Sequence, residues 1–369
     1  MASRIVVFGA TGYTGALVAR ALVTRGARPV LAGRSAERLQ PLAAALGGLD
    51  TQVADVSRPA SVRALVERGD VLVSTVGPFA RWGGVAVEAA LDAGAHYLDS
   101  TGEPTFLRRV FDELGPRAAA VGTTMVPACA FDWVPGNLAG ALALEAAGAR
   151  ATRLVVGYAS RGGGGLSGGT ARSMAGVLLE PSFAWRDGRL RTERVGARTA
   201  PFALADGAVR RGVSVGGSEH LALPAAYPSL QDVTVVIGGG GHAARLVPAA
   251  TAVAAGIAAL PPGRQALAAL LERRAPSGGP TPEQRARGRS IVVAEARDSG
   301  GELLERVRLD GPDPYTFSGD ILAWSAMTAA AGALRVTGGV GPVAAFGLEA
   351  LEDGARTAGL VRREAVGRP

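Results

Sequence analysis

The feature that most constrains this chain is a glycine-rich turn close to its start. Residues 5–8 form an apolar run, and Gly9, Gly12 and Gly15 follow it with the spacing G-x-x-G-x-x-G before a segment of helical period. Glycine lets the backbone approach a ligand closely, and the amide groups of a helix N-terminus bind phosphate. The pattern predicts a dinucleotide-binding turn, with a structural turn in an unrelated α/β fold as the alternative.

The first 134 residues alternate β-branched runs with Ala-, Leu- and Arg-rich segments of helical period. The predicted strands are 5–8, 29–32, 51–54, 71–74, 96–98 and 123–126, and the predicted helices are 13–25, 36–46, 59–68, 85–93 and 105–119. This alternation is typical of repeated βα units. We therefore expect a Rossmann-type doubly wound parallel sheet over residues 1–134, with ligands at the carboxyl ends of its strands.

After residue 134 the pattern changes to strand-like segments between Gly- and Pro-rich loops. Residues 290–296 and 303–309 flank a turn and predict a β-hairpin. We expect an α+β substrate domain over residues 135–317, and C-terminal helices over 318–369 that return to the first domain to cover the apolar run 321–334. The apolar run 246–260 is too short to span a bilayer and predicts a buried Ala-rich helix.

Composition excludes several function classes. Of the 369 residues, 48% are hydrophobic and 19% charged, which excludes intrinsic disorder. There is no lysine, which excludes a lysine Schiff base, a P-loop lysine and a Tyr-x-x-x-Lys pair. The net charge of +7 comes from scattered arginines, so no nucleic-acid partner is expected. The single Cys129 and three distant histidines predict no metal site, and no signal peptide is recognisable, so we expect the cytoplasm.

Cofactor choice is read at the end of the second strand. An NAD site would place an acid there, but this strand ends in Gly33, Arg34 and Ser35. Arg34 is suited to a 2′-phosphate, and Ser35 can donate to that phosphate and cap the next helix. The pattern predicts NADP, unless Arg34 is only a solvated residue at a helix start. Asp55 is placed near the adenine, or else caps the helix at Pro59.

The loops after the fourth, fifth and sixth strands should form one wall of the active site, namely residues 77–82, 99–103 and 129–133. The candidate proton donors are Tyr97 in the fifth strand and Ser100, Thr101 and Asp132 in this wall. The candidate substrate contacts in this wall are Trp82, Glu103 and Trp133. Asp132 lies between two aromatic residues, which favours a raised pKa, but it could instead cap the next helix. Helix capping is equally open for Asp99 and Glu103.

The second domain should supply the opposite wall. Ser167 and Thr170 lie in a glycine-rich segment that leads into a helix, and a helix N-terminus can bind an anionic or carbonyl group. We expect the segment 167–172 to contact substrate and the glycine-rich loop before it to act as a lid. A flexible crossover is the alternative.

Six segments occur in this order along the chain: GATGYTG, LAGRSAERLQPLAAALG, VSTVGPFARWG, HYLDSTGEP, PACAFDWVPGNL and SGGTARSM. Together they resemble the saccharopine dehydrogenase NADP-binding domain family, and within it the saccharopine dehydrogenase-like and trans-acting enoyl reductase proteins. The resemblance implies a Rossmann domain completed by C-terminal helices, an inserted α+β domain and reduced NADP as hydride source. The cofactor contacts that it implies are Gly9, Thr11, Gly12, Tyr13, Thr14, Gly15, Arg34, Gly77, Pro78 and Phe79.

We therefore expect an NADPH-dependent reductase of a polarised C=C (enoyl) or C=N bond in a small or medium-sized, apolar metabolite. Enolate formation would require a proton donor, whereas imine reduction would require an acid that protonates nitrogen. A saccharopine-type imine or amino-acid oxidoreductase and a non-catalytic NADP-binding sensor or scaffold are the alternatives. Homodimer formation and peripheral membrane contact remain open.

Overall fold

The chain builds two sheets, one in each of two units. The computed structural model describes residues 3–204, 208–238, 245–273, 276 and 278–363. The first unit comprises residues 1–102, 106–132 and 315–358, and the second comprises residues 103–105, 133–314 and 359–369.

The first unit follows the alternating pattern of the sequence. Its first six strands are β1 (Ile5–Phe8), β2 (Val30–Gly33), β3 (Thr51–Val53), β4 (Val71–Ser74), β5 (His96–Asp99) and β6 (Thr124–Val126). The helices between them are α1 (Tyr13–Thr24), α2 (Ala36–Ala45), α3 (Pro59–Arg63), α4 (Phe79–Ala93), α5 (Pro104–Arg108) and α6 (Gly115–Val121). Every strand pair is parallel, in the order β6-β5-β4-β1-β2-β3, so the expected Rossmann-type sheet is confirmed.

The centre of this sheet is buried on both faces. Val6 of β1 lies opposite Val30 of β2 and Leu72 of β4, and all four residues of β1 are buried. Phe8, Leu72 and Phe79 belong to one hydrophobic cluster with the crossover helices. The continuous apolar runs in the sequence follow from this double coverage.

The helix predicted over 105–119 is present, but it is not a regular α-helix throughout. A π-helical turn, Arg109–Leu114, separates α5 from α6. Pro116 has no amide hydrogen to donate, and its ring clashes with the carbonyl four residues earlier in a regular α-helix. The widened turn removes this conflict.

The second unit contains most of the remaining chain. Its helices are α7 (Val134–Ala147), α8 (Gly168–Leu179), α9 (Glu219–Ala226), α10 (Val247–Ala258), α11 (Pro261–Arg273) and α12 (Pro282–Arg287). Its strands are β7 (Arg153–Arg161), β8 (Ser182–Arg186), β9 (Arg189–Glu193), β10 (Thr199–Ala203), β11 (Val209–Ser214), β12 (Asp232–Gly238), β13 (Arg289–Arg297) and β14 (Leu303–Pro312). The pair β12–β7 is parallel and the others are antiparallel, which makes a mixed sheet. The predicted hairpin is confirmed as β13 and β14.

The chain after residue 314 contributes to both sheets. Its elements are α13 (Pro314–Ala330), β15 (Gly338–Gly339), α14 (Pro342–Phe346), α15 (Leu348–Thr357) and β16 (Val361–Arg363). Helix α13 packs on α1, because Gly319 lies against Leu17 and Arg25 forms a 2.7 Å ion pair with Asp320. Strand β15 extends the parallel sheet beside β6.

The end of the chain corrects one predicted range. Residues 318–369 were expected to return as helices to the first sheet, but β16 pairs antiparallel with β14 of the second sheet. The physical reason is that β14 would otherwise present an unpaired edge on that side. Leu360 lies against Gly311 of β14, next to this pairing.

Helix α10 corrects a second expectation. The apolar run 246–260 was expected to be buried, but α10 has no buried residue. Leu246, Val253 and Leu260 are each about two-thirds exposed, at 71%, 65% and 66%. Alanine and glycine supply most of the remaining positions of this run. The run is therefore apolar because of its small residues, and it does not form a continuous apolar face that packs on a core.

Candidate functional site

The glycine-rich turn between β1 and α1 is sterically closed to larger residues. Gly9 has φ +89°, and a Cβ there would lie 2.7 Å from Thr75 Oγ1. A Cβ on Gly15 would collide with the Gly9 carbonyl oxygen. The Gly12 amide donates to the same oxygen at 2.8 Å, which closes the turn directly before α1. The turn therefore has the form that a pyrophosphate at a helix N-terminus requires.

Thr75 is a residue of this site that sequence reasoning missed. Its amide donates to the Phe8 carbonyl at 2.9 Å, and its hydroxyl is 3.2 Å from the carbonyl oxygens of Phe8 and Gly9. The available signal was its position directly after β4, the strand beside β1. Thr75 therefore holds the start of the glycine turn through the carbonyl groups of Phe8 and Gly9.

The end of β2 presents a group of cations. Arg34 is exposed, and Ser35 is the N-cap of α2, where its hydroxyl accepts from the Arg38 amide at 3.3 Å. Arg38, which the sequence analysis missed, donates through Nη2 to the Thr11 carbonyl at 3.0 Å. Arg38 thus joins the start of α2 to the glycine turn. No acid of the NAD-binding type occupies the end of β2.

Asp55 stabilises a turn after β3. Its carboxylate accepts from the amide and from the hydroxyl of Ser57, both at 2.8 Å. The backbone hydrogen bond is the larger cause that lowers the pKa of Asp55, followed by the hydroxyl. Helix α3 has Arg58 as its N-cap and no side-chain cap, so the helix-cap alternative for Asp55 is wrong.

The loop after β4 leads into α4 through Gly77 and Pro78. Gly77 is exposed, whereas the Phe79 side chain is buried and packs on Phe106 at 5.6 Å between ring centroids. Phe79 can therefore meet a ligand only through its backbone. Trp82 is half-buried, and the Arg81 guanidinium lies 4.4 Å from its ring centroid.

Asp99 joins the loops that follow β5 and β6. Its Oδ1 accepts from the Thr101 amide at 2.9 Å and the Ala128 amide at 2.8 Å, and its carbonyl accepts from the Cys129 amide at 2.8 Å. Ala128 has φ +57°, a strained conformation for a residue with a Cβ. Burial raises the pKa of the Cys129 thiol to about 12, so this thiol stays protonated. Asp99 therefore fixes the shape of this edge.

The four candidate proton donors differ in their surroundings. Tyr97 is fully buried in the hydrophobic cluster of the first unit, and burial is the main reason that its pKa is raised. This placement is a correction, because a ring within the core cannot meet a substrate. Thr101 is also buried, whereas Ser100 is half-buried.

Asp132, in the loop after β6, has a carboxyl group suited to donate a proton. Burial raises the pKa of its carboxyl to about 6. A Cβ on Gly102 would lie 3.0 Å from Oδ2 of Asp132, so glycine is what lets the loop after β5 pass this close. Helix α7 has Trp133 as its N-cap and no side-chain cap, so the helix-cap alternative for Asp132 is wrong. The adjacent Phe131 is held by the Ser318 hydroxyl, which accepts from its amide at 3.1 Å.

Trp133 belongs to a buried cluster of the second unit. Its ring meets that of Tyr158 edge to face, with centroids 5.4 Å apart. The Tyr158 hydroxyl donates to Glu219 at 2.7 Å and accepts from the Gly136 amide at 2.8 Å. Tyr158 and Glu219 were missed because they lie far from Trp133 in sequence, on β7 and α9.

The remaining substrate candidates lie in the second unit. Ser167 is the N-cap of α8, and its hydroxyl accepts from the Thr170 amide at 3.2 Å. Glu103 is buried. Within the described ranges no group of three or more His, Cys, Asp or Glu side chains is placed to hold a metal ion, and His242 lies outside those ranges.

The glycine turn and its surroundings match a known domain. Residues 5–126 match the family model of the saccharopine dehydrogenase NADP binding domain. The match over these residues confirms the resemblance seen in the sequence, and it identifies NADP as the cofactor.

The chain is also similar to curated relatives and to a solved structure. A trans-acting enoyl reductase of Mycobacterium leprae is 43% identical over 140 residues, and one of Mycobacterium tuberculosis is 41% identical over 140 residues. Each alignment covers 36% of this chain and 34% of the relative. Apo saccharopine dehydrogenase (L-Glu forming) from Saccharomyces cerevisiae is 14% identical, with a TM-score of 0.62 over 98% of this chain and 99% of that one. This structure shows a shared fold.

The chain spans about a third of the length of these curated enoyl reductase relatives. Among the described helices, none combines the length and the apolar character needed to cross a membrane.

Proposed function

We propose that this protein is an NADPH-dependent reductase of a polarised C=C bond in an apolar metabolite, with Asp132 as the proton donor. The observation that carries the proposal is the position of the Asp132 carboxyl against Gly102 in the loop after β5, where burial raises its pKa to about 6. An acid with a pKa near the working pH is suited to proton transfer. The names of the enoyl reductase relatives support the reaction class.

The residues of the first unit fit NADP. A Cβ at Gly9 or Gly15 would collide with Thr75 or with the Gly9 carbonyl oxygen, so only glycine allows this tight turn, and α1 begins directly behind it. We assign the pyrophosphate to this turn, the 2′-phosphate to Arg34 and Ser35, and the adenine to the neighbourhood of Asp55. The backbone of Gly77, Pro78 and Phe79 lies at the next strand end, where the nicotinamide half is expected.

NADPH, when bound, supplies a hydride to the electrophilic carbon of the double bond. Proton balance then requires an acid that protonates the neighbouring carbon. The Asp132 carboxyl can hold that proton below about pH 6. Asp99 fixes the loops that frame Asp132, through its hydrogen bonds to Thr101 and Ala128. In the imine alternative the same carboxyl would protonate nitrogen.

We also assign residues 135–317 to substrate binding. Trp133 would contact the substrate, together with Trp82, Glu103, Ser167 and Thr170. The segment 167–172 would contact the substrate, and the glycine-rich loop before it would act as a lid. Shortening residues 162–165 should lower turnover and leave NADPH affinity nearly unchanged.

The experiment is a substrate screen followed by NADPH absorbance. We would offer α,β-unsaturated thioesters and ketones in one arm, and preformed cyclic imines in the other, to wild type and Asp132→Asn. Turnover in the first arm that falls at least about a hundredfold in Asp132→Asn supports the proposal. Turnover confined to imines would replace C=C by C=N reduction. Tight NADPH binding without turnover in either arm would favour the sensor.

A further inference from the structure

A cleft of about 410 Å³ in the second unit is lined mainly by charged groups. The charged residues of its lining are Arg153, Arg186, Arg198 and Arg297, with Asp187 and Asp232. Four guanidinium groups thus share the cleft with two carboxylates. None of these residues belongs to the NADP-binding domain.

The register of neighbouring strands brings these charged residues together. Arg153 of β7 lies opposite Asp232 of β12 on one side and Arg297 of β13 on the other. Residues directly opposite each other project from the same face of a sheet. Arg186 ends β8 and follows Trp185, which is paired with Val233 of β12. The direct Arg153–Arg297 pair places like charges together, which is unfavourable without a counter-ion.

The carboxylates of the protein neutralise this group only in part. Asp232 lies 3.7 Å from both Arg153 Nε and Arg186 Nη1, which is longer than a charge-assisted hydrogen bond. Glu295 pairs with Arg297 at 2.6 Å, and Glu193 pairs with Arg198 at 2.8 Å. One carboxylate is therefore shared loosely between two arginines.

The guanidinium of Arg186 is only partly hydrogen-bonded. Its Nη1 donates to Thr234 at 2.8 Å, but its Nε is buried without a hydrogen-bond partner in the part of the chain that the structure describes. Burial, and then the nearby charge of Arg198, lower the pKa of Arg186. A buried donor and a neighbouring cation both create a preference for an anion at this position.

We propose that this cleft binds a compact anion of two or more negative charges, carried by phosphate or carboxylate oxygens. Guanidinium groups present paired donors that match both kinds of oxyanion. The anion would lie between Arg153 and Arg186, which share Asp232 at 3.7 Å, beside Arg297, and would offer an acceptor to Arg186 Nε.

Trp185 provides a local reporter for the test. The chain has four tryptophans, so ¹⁵N-indole spectra contain four side-chain signals, and Trp185→Phe assigns the one next to Arg186. Pyrophosphate and citrate are titrated separately into the full chain, with saturating NADP to occupy the glycine turn. We expect a saturable shift of the Trp185 signal. Tighter binding of pyrophosphate assigns a phosphate ligand, and tighter binding of citrate assigns a carboxylate ligand.

Two substitutions separate specific binding from bulk charge. Arg153→Gln should weaken binding at least about tenfold. Its matched control, Arg210→Gln, removes an exposed arginine from β11 of the same sheet and should change affinity less than twofold. If Arg153→Gln fails to fold, Arg297→Gln replaces it. The proposal is overturned if the shift does not saturate, if sodium chloride of equal ionic strength reproduces it, or if Arg153→Gln binds the anion as tightly as wild type.

Discussion

Arg34 is the residue on which cofactor preference depends. It is exposed at the end of β2, where no acid is present to accept from a 2′-hydroxyl. We expect Arg34→Ala to weaken NADPH binding by about 1.5–3 kcal/mol, or roughly tenfold to a hundredfold, because charge-assisted hydrogen bonds to the 2′-phosphate are lost. NADH affinity should not change. Fluorescence titration measures both, and Arg28→Ala, an exposed arginine before β2, is the control. Equal affinity of wild type for both cofactors would contradict this assignment.

Asp132 should leave a signature in the pH profile. Burial raises the pKa of this carboxyl to about 6, and the acid form is the one that donates. Turnover should therefore fall as pH rises through about 6 when proton transfer limits the rate. In Asp132→Asn this decrease of turnover with rising pH should disappear, and most of the turnover should be lost. A profile with the same decrease in both proteins would assign the proton to another group.

His220 should make stability depend on pH. Burial lowers the pKa of this imidazole to about 4, whereas an unfolded histidine titrates near 6.5. The unfolded chain therefore binds an extra proton between these values, so stability is full above about pH 6.5 and declines toward pH 4, by up to about 3 kcal/mol. Asp132 acts with the opposite sign, because its raised pKa lowers stability as pH rises toward 6.

Urea unfolding of wild type and Asp132→Asn at intervals from pH 7 to pH 4 separates these two contributions. In Asp132→Asn, the free energy of unfolding should fall more steeply toward pH 4 than in wild type, because the opposing contribution of Asp132 is absent. A free energy of unfolding that is flat over this interval in Asp132→Asn would mean that His220 is not held neutral.

At the scale of elements, exposure of α10 and burial of β12 predict opposite responses to the same substitution. Val253 on α10 is 65% exposed and Val235 on β12 is 1% exposed. Val253→Ala should change the free energy of unfolding by no more than about 0.5 kcal/mol, whereas Val235→Ala should cost about 1–3 kcal/mol through lost burial and a cavity. Denaturant unfolding compares them. A large cost at Val253 would show that α10 is covered.

The elements that sequence predicted best are those whose pattern has one physical cause. Strands β1 and β4 were predicted within their observed bounds because a strand buried on both faces is a continuous apolar run. The glycine turn was predictable because its backbone excludes side chains. By contrast, β15 consists of two glycines without any strand signal, and α10 has apolar residues without a core to cover.

The site was predicted less completely than the fold, for a related reason. Gly9 and Arg34 are recognisable because each directly follows a predicted strand, and Asp132 because it lies in the loop after the sixth strand. Thr75 and Arg38 act through hydrogen bonds to the turn, and such bonds depend on which strands are neighbours. Tyr97 was placed at the site because the sequence does not show that its ring enters the core.

At the scale of the whole molecule, the C-terminal helices should be essential to the first unit. Helix α13 packs through Gly319 on Leu17, its Ser325 hydroxyl accepts from the Cys129 thiol, and most of its apolar residues are buried. A chain that ends at residue 314 should therefore expose apolar surface and aggregate, as measured by light scattering. A truncated chain that stays monomeric and binds NADPH would contradict this.

The most direct measurement for the proposed reaction is the fate of hydrogen from the cofactor. An active α,β-unsaturated substrate from the screen is incubated with NADPH deuterated at nicotinamide C4, and the product is analysed by mass spectrometry and NMR. A C=C reductase should place one deuterium on the β-carbon and one solvent proton on the α-carbon, with a rate that depends on Asp132. Product without deuterium from either C4 face, or NADPH that stays bound and unoxidised with every substrate, would contradict the proposed function.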